Sequence, residues 1–356
     1  MTKKHLKLGL CTGGGDCPGL NAAIRAVVRT AVFNHGFEVL GVRYGLTGLL
    51  QPETAKTLTL NTVDHILTAG GTILGTNNQG SPFRNPAEAD EMISRIRTNW
   101  RKLKLDGMIV IGGDGTQFMG KHLSMAGFPV IGIPKTIDND LVGTDHTIGF
   151  ATAVDIATDA ACRLGTSAEA HDRIMILEVM GRDGGHIALA TAIASGANAV
   201  LIPEIPYSRE ALIQHYRRHQ ESGRNHFLII VAEGAIAIGG EQMYSATAGN
   251  TKVLGGVGSQ VARDLHAASG VDSRVAVLGH VQRGGAPNAA DRLLATTFGA
   301  RAVELAAAGE FGGIVGIRAG KLVTIPYSTL TDKRRMLGSK DPMIITAEAT
   351  GISLGR

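Results

Sequence analysis

Residues 6–32 read LKLGLCTGGGDCPGLNAAIRAVVRTAV. A short apolar run with β character, residues 6–11, opens into Thr12-Gly13-Gly14-Gly15-Asp16-Cys17-Pro18-Gly19, after which Ile24, Val27, Val28, Ala31 and Val32 recur at helical spacing. Strand, glycine loop and helix in that order form the repeating unit of a doubly wound α/β protein. The same grammar returns along the chain. Residues 39–42 form a second short strand, residues 107–111 a third ending at Gly112-Gly113-Asp114-Gly115-Thr116, and residues 129–133 a fourth ending at Pro134-Lys135-Thr136-Ile137-Asp138-Asn139-Asp140. In the second half, residues 173–179 run into Met180-Gly181-Arg182-Asp183-Gly184-Gly185, and residues 199–202 into Pro203-Glu204. Residues 227–232 end at Glu233-Gly234, and residues 275–278 at Gly279-His280-Val281-Gln282-Arg283-Gly284-Gly285.

These strands are continuously apolar rather than alternating, which suits a parallel sheet buried on both faces. In such sheets ligands sit at the carboxyl ends of the strands, and the polar and glycine-rich segments fall there strand after strand. The expected fold is α/β, with two doubly wound Rossmann-like domains and mostly parallel sheets. Residues 235–258, rich in Gly, Ala, Ser and Thr, read as a loop or insertion before a helix at 261–268. The tail after Thr331 is weakly periodic.

Composition bounds the function. At 356 residues the chain exceeds the roughly 100–200 residues of one average domain. Forty-eight glycines, against about 25 expected at roughly 7% usage, cluster in short loops without a collagen period, as backbone that approaches a ligand closely would. Aromatics at 4% argue against a base-stacking surface for single-stranded nucleic acid. The net charge of +4 resides in short blocks, Lys333-Arg334-Arg335 among them, that read as solvated faces. Cys11, Cys17 and Cys162 have no zinc-site spacing and read as free thiols of a reducing compartment. The N-terminal apolar run breaks too early for a signal peptide, and no run approaches the ~18 apolar residues of a membrane span. A cytoplasmic protein with no membrane or nucleic-acid partner is expected.

The loop of residues 12–19 has backbone N–H groups and a helix N-terminus that suit phosphate, and taken alone it fits a tight turn as well. Asp114 between glycines has room for a triphosphate and its metal, since Mg2+ takes one or two carboxylates plus substrate phosphates; a strand-end turn with an Asx bond is the plain alternative. Asp138 and Asp140, two residues apart, repel each other unless a cation or proton intervenes. One suits a base on a substrate hydroxyl and the other a metal. Arg173, Arg182, Arg274, His280 and Arg283 lie at strand ends or one loop away. Together they suit a phosphorylated substrate; singly, each arginine fits a surface salt bridge and His280 a buried hydrogen-bonded residue. Glu233 suits sugar hydroxyls or a helix cap.

Five segments together resemble the 6-phosphofructokinase family: GGDCPGLNAAIR (14–25), GGDGT (112–116), PKTIDND (134–140), MGR (180–182) and GHVQRGG (279–285). The resemblance spans residues 6 to about 310; GGDG alone also occurs in NAD and lipid kinases, whereas TIDND and GHxQRGG in this order are specific. It implies a phosphotransferase with an alcohol acceptor, moving the γ-phosphoryl group of ATP, with Mg2+, to the 1-hydroxyl of fructose 6-phosphate. Asp138 is then the general base, Asp114 and less directly Asp140 serve Mg2+, and Thr136, Gly15 and Arg182 steady the phosphoryl group. Gly113, Gly115, Thr116 and Arg84 join Gly15 and Asp114 around the nucleotide. Met180, Gly181 and Arg182 line the sugar site and Glu233 takes its hydroxyls. His280 and Arg283 hold the 6-phosphate with Arg173 and Arg274 of a neighbouring subunit, which implies a homotetramer or at least a dimer. The implied domains are residues 1–149 plus about 282–332 for nucleotide and Mg2+, and 150–281 plus about 333–356 for sugar phosphate.

The family's pyrophosphate users carry an Asp after GGD, which crowds the nucleotide α-phosphate. Gly115 stands there, so ATP is the expected donor, although Lys135 is shared with the pyrophosphate users and with some ATP users of a longer-chain branch. Asn77-Asn78 replace an arginine that many bacterial members aim at the transferring phosphate. Arg25 and Arg29 match part of the effector site for nucleotide diphosphate or phosphoenolpyruvate, while Gly165 and Ser222 stand where Arg and Lys are usual. The alternatives are a pyrophosphate-dependent enzyme, an NAD or lipid kinase, and a catalytically silent sugar-phosphate-binding subunit.

Overall fold

The structure, a computed structural model, describes residues 5–77, 86–224, 226–248 and 251–356. Among them lie thirteen strands: β1 (Lys7–Gly13), β2 (Glu38–Gly41), β3 (Lys56–Leu58), β4 (Gly107–Gly112), β5 (Val130–Pro134), β6 (Ile174–Val179), β7 (Ala199–Leu201), β8 (Phe227–Ala232), β9 (Tyr244–Ala248), β10 (Thr251–Leu254), β11 (Ser273–Val277), β12 (Gly313–Arg318) and β13 (Lys321–Pro326). The chain divides into two compact units, Met1–Ala151 with Arg283–Arg334, and Thr152–Gln282 with Arg335–Arg356.

The first unit is built on a seven-stranded sheet in the order β13-β12-β5-β4-β1-β2-β3. Its centre is parallel: Leu10 pairs with Ile109, and Ile109 with Ile131. β4 and β5 are buried at every position, which is why they are apolar without alternation. The edge strands β3 and β13 run antiparallel to their neighbours and are mostly exposed, each with one buried residue, Leu58 and Ile325. The helix Leu20–Thr30 buries Leu20, Ile24, Val27 and Val28 and packs on the helix Ala289–Ala308. Under another part of the sheet, Trp100 and Phe128 meet at 5.1 Å in a core with Val110, Leu123 and Ile314.

The second unit has a parallel sheet in the order β11-β6-β8-β7. β6 and β8 are wholly buried, and Phe227 packs edge-on against Tyr216 at 5.2 Å. Glu178, 2% exposed and next to last in β6, accepts from the N–H groups of Gly256 (2.9 Å) and Gly258 (2.8 Å), where the helix Val257–Ser269 begins. A carboxylate meets the orphan donors and positive end of that helix, which satisfies both.

Residues 235–258 are not all loop. They hold the antiparallel hairpin β9–β10, whose Ala, Ser and Thr carry too little hydrophobic pattern to announce it, and their helix starts at Val257 rather than 261. The tail carries the helix Pro342–Ala349, capped by the Asp341 side chain at Met343 N (2.9 Å), and Ser353 N returns to Asn198 O at 3.0 Å within the second unit. Among the described residues no helix is long and apolar enough to cross a membrane.

Candidate active site

In the first unit the glycine loop and the two acidic loops leave the carboxyl ends of adjacent strands β1, β4 and β5, so parallel pairing alone gathers them. Thr116 anchors the junction. A Cβ on Gly112 would lie 2.4 Å from Thr116 Cβ and one on Gly13 2.7 Å from its hydroxyl, so only glycine lets the two strand ends close around this buried side chain. Gly113 caps the helix Asp114–Met125, placing Asp114 in its first turn. Gly115 is exposed, and a Cβ there would meet nothing within 4 Å. The N-terminus of this helix thus opens into space, with the N–H geometry and dipole that favour phosphate.

The loop after β5 is tied down from several sides. The Thr136 hydroxyl accepts from Asp138 N (3.1 Å) and donates to Asp138 Oδ2 (3.3 Å). Thr147 Oγ1 donates to Thr136 O (2.7 Å) and Asn139 Oδ1 (3.2 Å), and Asn139 holds a left-handed φ of 52° between the two aspartates. Asp138 and Asp140 are 4% and 5% exposed. Burial, reinforced by the carboxylates of Asp138 and Asp114, pushes the pKa of Asp140 from 3.8 to about 6, and the Arg334 guanidinium opposes that rise. Arg334 pairs with both Asp114 (3.3 Å) and Asp140 (3.5 Å). Asp114, 24 residues before Asp138 in sequence, therefore shares one electrostatic environment with the pair Asp138 and Asp140.

Among the described residues no three His, Cys, Asp or Glu side chains close into a metal cage. The donors at this cluster are carboxylate oxygens, the hard ligands Mg2+ takes one or two at a time, and the guanidinium lodged on two of them shows that the place draws a cation. Asp114 and Asp140 fit such an ion.

Two cations hold the glycine loop. Lys135 Nζ bonds the Gly15 carbonyl, and Arg283 Nη1 donates to Asp16 O at 3.2 Å. Burial lowers the pKa of Lys135 and pushes that of the Cys17 thiol up to about 12, so Cys17 is an inert packing residue. Cys11 is likewise buried and pushed up. Gly14 N donates to Asn77 O at 3.0 Å, and the Thr76 hydroxyl bonds Gly14 O. Asn78 and Arg84 lie outside the described residues.

In the second unit Met180, Gly181, Arg182 and Glu233 lie together at the carboxyl ends of β6 and β8. Glu233 Oε1 accepts from Arg182 N (3.0 Å) and Gly181 N (3.3 Å), and Arg182 is exposed with φ 53°. His280 is exposed in the turn Gly279–Arg283 after β11, not buried. Arg173 and Arg274 sit elsewhere. Arg173 precedes β6 and Arg274 is the second residue of β11, at the amino ends of these strands, where both pair with Asp272, Arg173 at 3.6 Å. Sequence reasoning passed over Gln282, fully buried, whose Oε1 accepts from Met180 N at 2.7 Å, and Glu204, whose carboxylate takes Gly185 N at 3.0 Å and Leu337 N at 3.2 Å. Gln282 was legible only as a polar residue inside GHVQRGG; Glu204 had no signal beyond its place after a strand.

The sequence model of the family described as Phosphofructokinase matches residues 7–306. The chain belongs to the phosphofructokinase family. A protein of Chloroflexus aurantiacus named ATP-dependent 6-phosphofructokinase is 44% identical over 359 aligned residues, covering 100% of this chain and 99% of its own. A protein of Amycolatopsis methanolica named pyrophosphate–fructose 6-phosphate 1-phosphotransferase is 44% identical as well, over 92% of this chain and 94% of its own. The solved structure of phosphofructokinase from Saccharomyces cerevisiae is similar with a TM-score of 0.77 at 31% identity, over 91% of this chain; the chain spans 45% of the yeast chain's length. The α/β architecture with its mostly parallel sheets is thus that of phosphofructokinases.

Proposed function

We propose that this chain is an ATP-dependent 6-phosphofructokinase, transferring the γ-phosphoryl group of ATP to the 1-hydroxyl of fructose 6-phosphate to give fructose 1,6-bisphosphate and ADP. The observation that carries the choice of ATP is the open space at Gly115, at the N-terminus of the helix Asp114–Met125. Overall identity does not decide the donor, since relatives named for ATP and for pyrophosphate match equally at 44%.

The first unit would hold the nucleotide on Gly15, Gly113, Gly115 and Thr116, with Asp114 and Asp140 holding Mg2+. Arg84 is kept as a nucleotide contact on sequence grounds alone. When bound, the metal supplies neutralisation of phosphate charge. Asp138 takes the proton of the sugar's 1-hydroxyl as that oxygen bonds to the γ-phosphorus, and the bond from phosphorus to the ADP oxygen breaks. Thr136 fits this assignment: its hydroxyl both orients the Asp138 carboxylate and fixes its backbone. Thr136, Gly15 and Arg182 steady the phosphoryl group. Met180, Gly181 and Arg182 line the sugar, Glu233 accepts from its hydroxyls, and His280 and Arg283 take the 6-phosphate.

Arg173 and Arg274 stand at the strand ends opposite Met180 and Glu233 within their own unit. The family resemblance assigns them to the sugar phosphate of a neighbouring copy, and their distance from Met180 and Glu233 agrees with that, in a homo-oligomer that we take as a tetramer. A coupled assay comparing ATP, ADP and pyrophosphate on fructose 6-phosphate tests the proposal. Turnover with ATP is expected, and turnover with pyrophosphate but not ATP would overturn the donor assignment.

A further inference from the structure

Arg334 belongs to a basic block that reads in sequence as a solvated face, yet its side chain is only 22% exposed and lies on the acid cluster. Its Nη2 is 3.3 Å from Asp114 Oδ2 and its Nε 3.5 Å from Asp140 Oδ2, so two nitrogens of one planar guanidinium serve two carboxylates that no helix or strand shares. We propose that Arg334 is a resident counter-cation: it holds Asp114 and Asp140 while the nucleotide is absent, and passes to the donor's phosphate oxygens when metal and nucleotide arrive together. The inference rests on the assignment of these two aspartates to the metal.

The chemistry runs from charge. Asp140 is 5% exposed, and a carboxylate so buried beside two others needs a positive neighbour. A divalent ion taking these oxygens at about 2.0–2.1 Å competes with the guanidinium for the same two atoms. Bare metal must therefore displace a charge already in place. A metal–nucleotide brings phosphate oxygens that match the guanidinium fork as well as carboxylates do, so the displaced arginine exchanges one anion for another. The exchange asks only for rotation of the long Arg334 side chain; the backbone beside it is held by Lys333 N on Thr331 Oγ1 (3.3 Å) and by Leu337 N on Glu204 Oε1 (3.2 Å). The device admits the metal with its nucleotide and disfavours the metal alone.

The test titrates the full-length protein with Mn2+ alone, followed by electron paramagnetic resonance of the free ion, and with the Mg2+ complex of a non-hydrolysable ATP analogue, followed by calorimetry. Removing one unit charge about 6 Å from a divalent ion in a water-like medium corresponds to about ten-fold in affinity. Arg334→Gln is expected to bind Mn2+ about ten-fold more tightly than the unmodified protein and the nucleotide complex about ten-fold more weakly. Opposite shifts are something a merely structural role does not produce. Equal affinities, or shifts in the same direction, overturn the proposal. Arg334→Lys keeps the charge without the fork, so its Mn2+ affinity should stay unchanged while nucleotide binding weakens; unweakened nucleotide binding in this variant also overturns it. Asp114→Asn separates the two levels. If it leaves Mn2+ and nucleotide binding intact, the metal assignment fails; if it weakens both while Arg334→Gln changes neither, only the counter-cation fails.

Discussion

Gly115→Asp probes donor choice with little steric disturbance. Gly115 is the second residue of the helix Asp114–Met125, and a Cβ there meets nothing within 4 Å, so the new side chain starts into open space. Replacing a helical glycine gains roughly 0.3–0.5 kcal/mol of propensity, and a negative charge in the first turn gains roughly 0.3–1 kcal/mol from the helix N-terminus. Repulsion by Asp114 next to it offsets part of this, so stability should change by less than about 1 kcal/mol and the thermal midpoint by less than about 3 °C. Nucleotide binding is another matter. Two unit negative charges about 5 Å apart at an effective dielectric near 30 repel by about 2 kcal/mol, a factor of about 30 in affinity. The kcat/KM for ATP in an NADH-linked assay should fall by about that factor, whereas pyrophosphate, which has no α-phosphate to place there, is not penalised. An ATP kcat/KM within two-fold of the unmodified protein refutes the reasoning, and so does a midpoint several degrees lower.

Asp140 makes stability depend on pH. Its folded pKa of about 6 exceeds the ordinary 3.8, so the folded state holds the proton more tightly; folding is penalised above pH 6, and the penalty is relieved as pH falls through 6 towards 4. The ligand-free protein should gain about 2–3 kcal/mol from this group over that window. Urea unfolding should show Asp140→Asn lacking that part of the slope, and identical slopes would contradict the shift. Arg283→Ala should raise the KM for fructose 6-phosphate about ten-fold or more, and cost only about 0.5–1.5 kcal/mol of stability through its bond to Asp16 O; an unchanged KM removes it from the substrate site. Glu233→Gln keeps an acceptor for Gly181 and Arg182 N–H but loses the charge, so KM for the sugar phosphate should rise several-fold with kcat little altered. A fall in kcat alone would contradict that.

The central strands were legible because burial on both faces of β4, β5, β6 and β8 forces uninterrupted apolar runs. That the loops at residues 112–116 and 134–140 lie side by side was legible because each follows an apolar strand, and parallel pairing puts neighbouring strand ends together. β3 and β13 escaped because edge strands are half exposed and mixed in composition. The hairpin Tyr244–Leu254 escaped because Ala, Ser and Thr give it no apolar period. Arg334 escaped for another reason: a basic block on a weakly periodic tail carries no mark of the acids it meets, 220 residues away at Asp114. Gln282 and Glu204 bond backbone N–H groups, and backbone partners leave no trace in sequence.

Asp138→Asn tests the central claim most directly, because it keeps the shape of the side chain on Thr136 and removes only its basicity. Measured together, kcat and equilibrium binding of fructose 6-phosphate should separate: turnover falls about 10²-fold or more, the order that general-base catalysis contributes, while sugar-phosphate affinity is retained. Near-normal turnover in a folded Asp138→Asn protein would contradict the account.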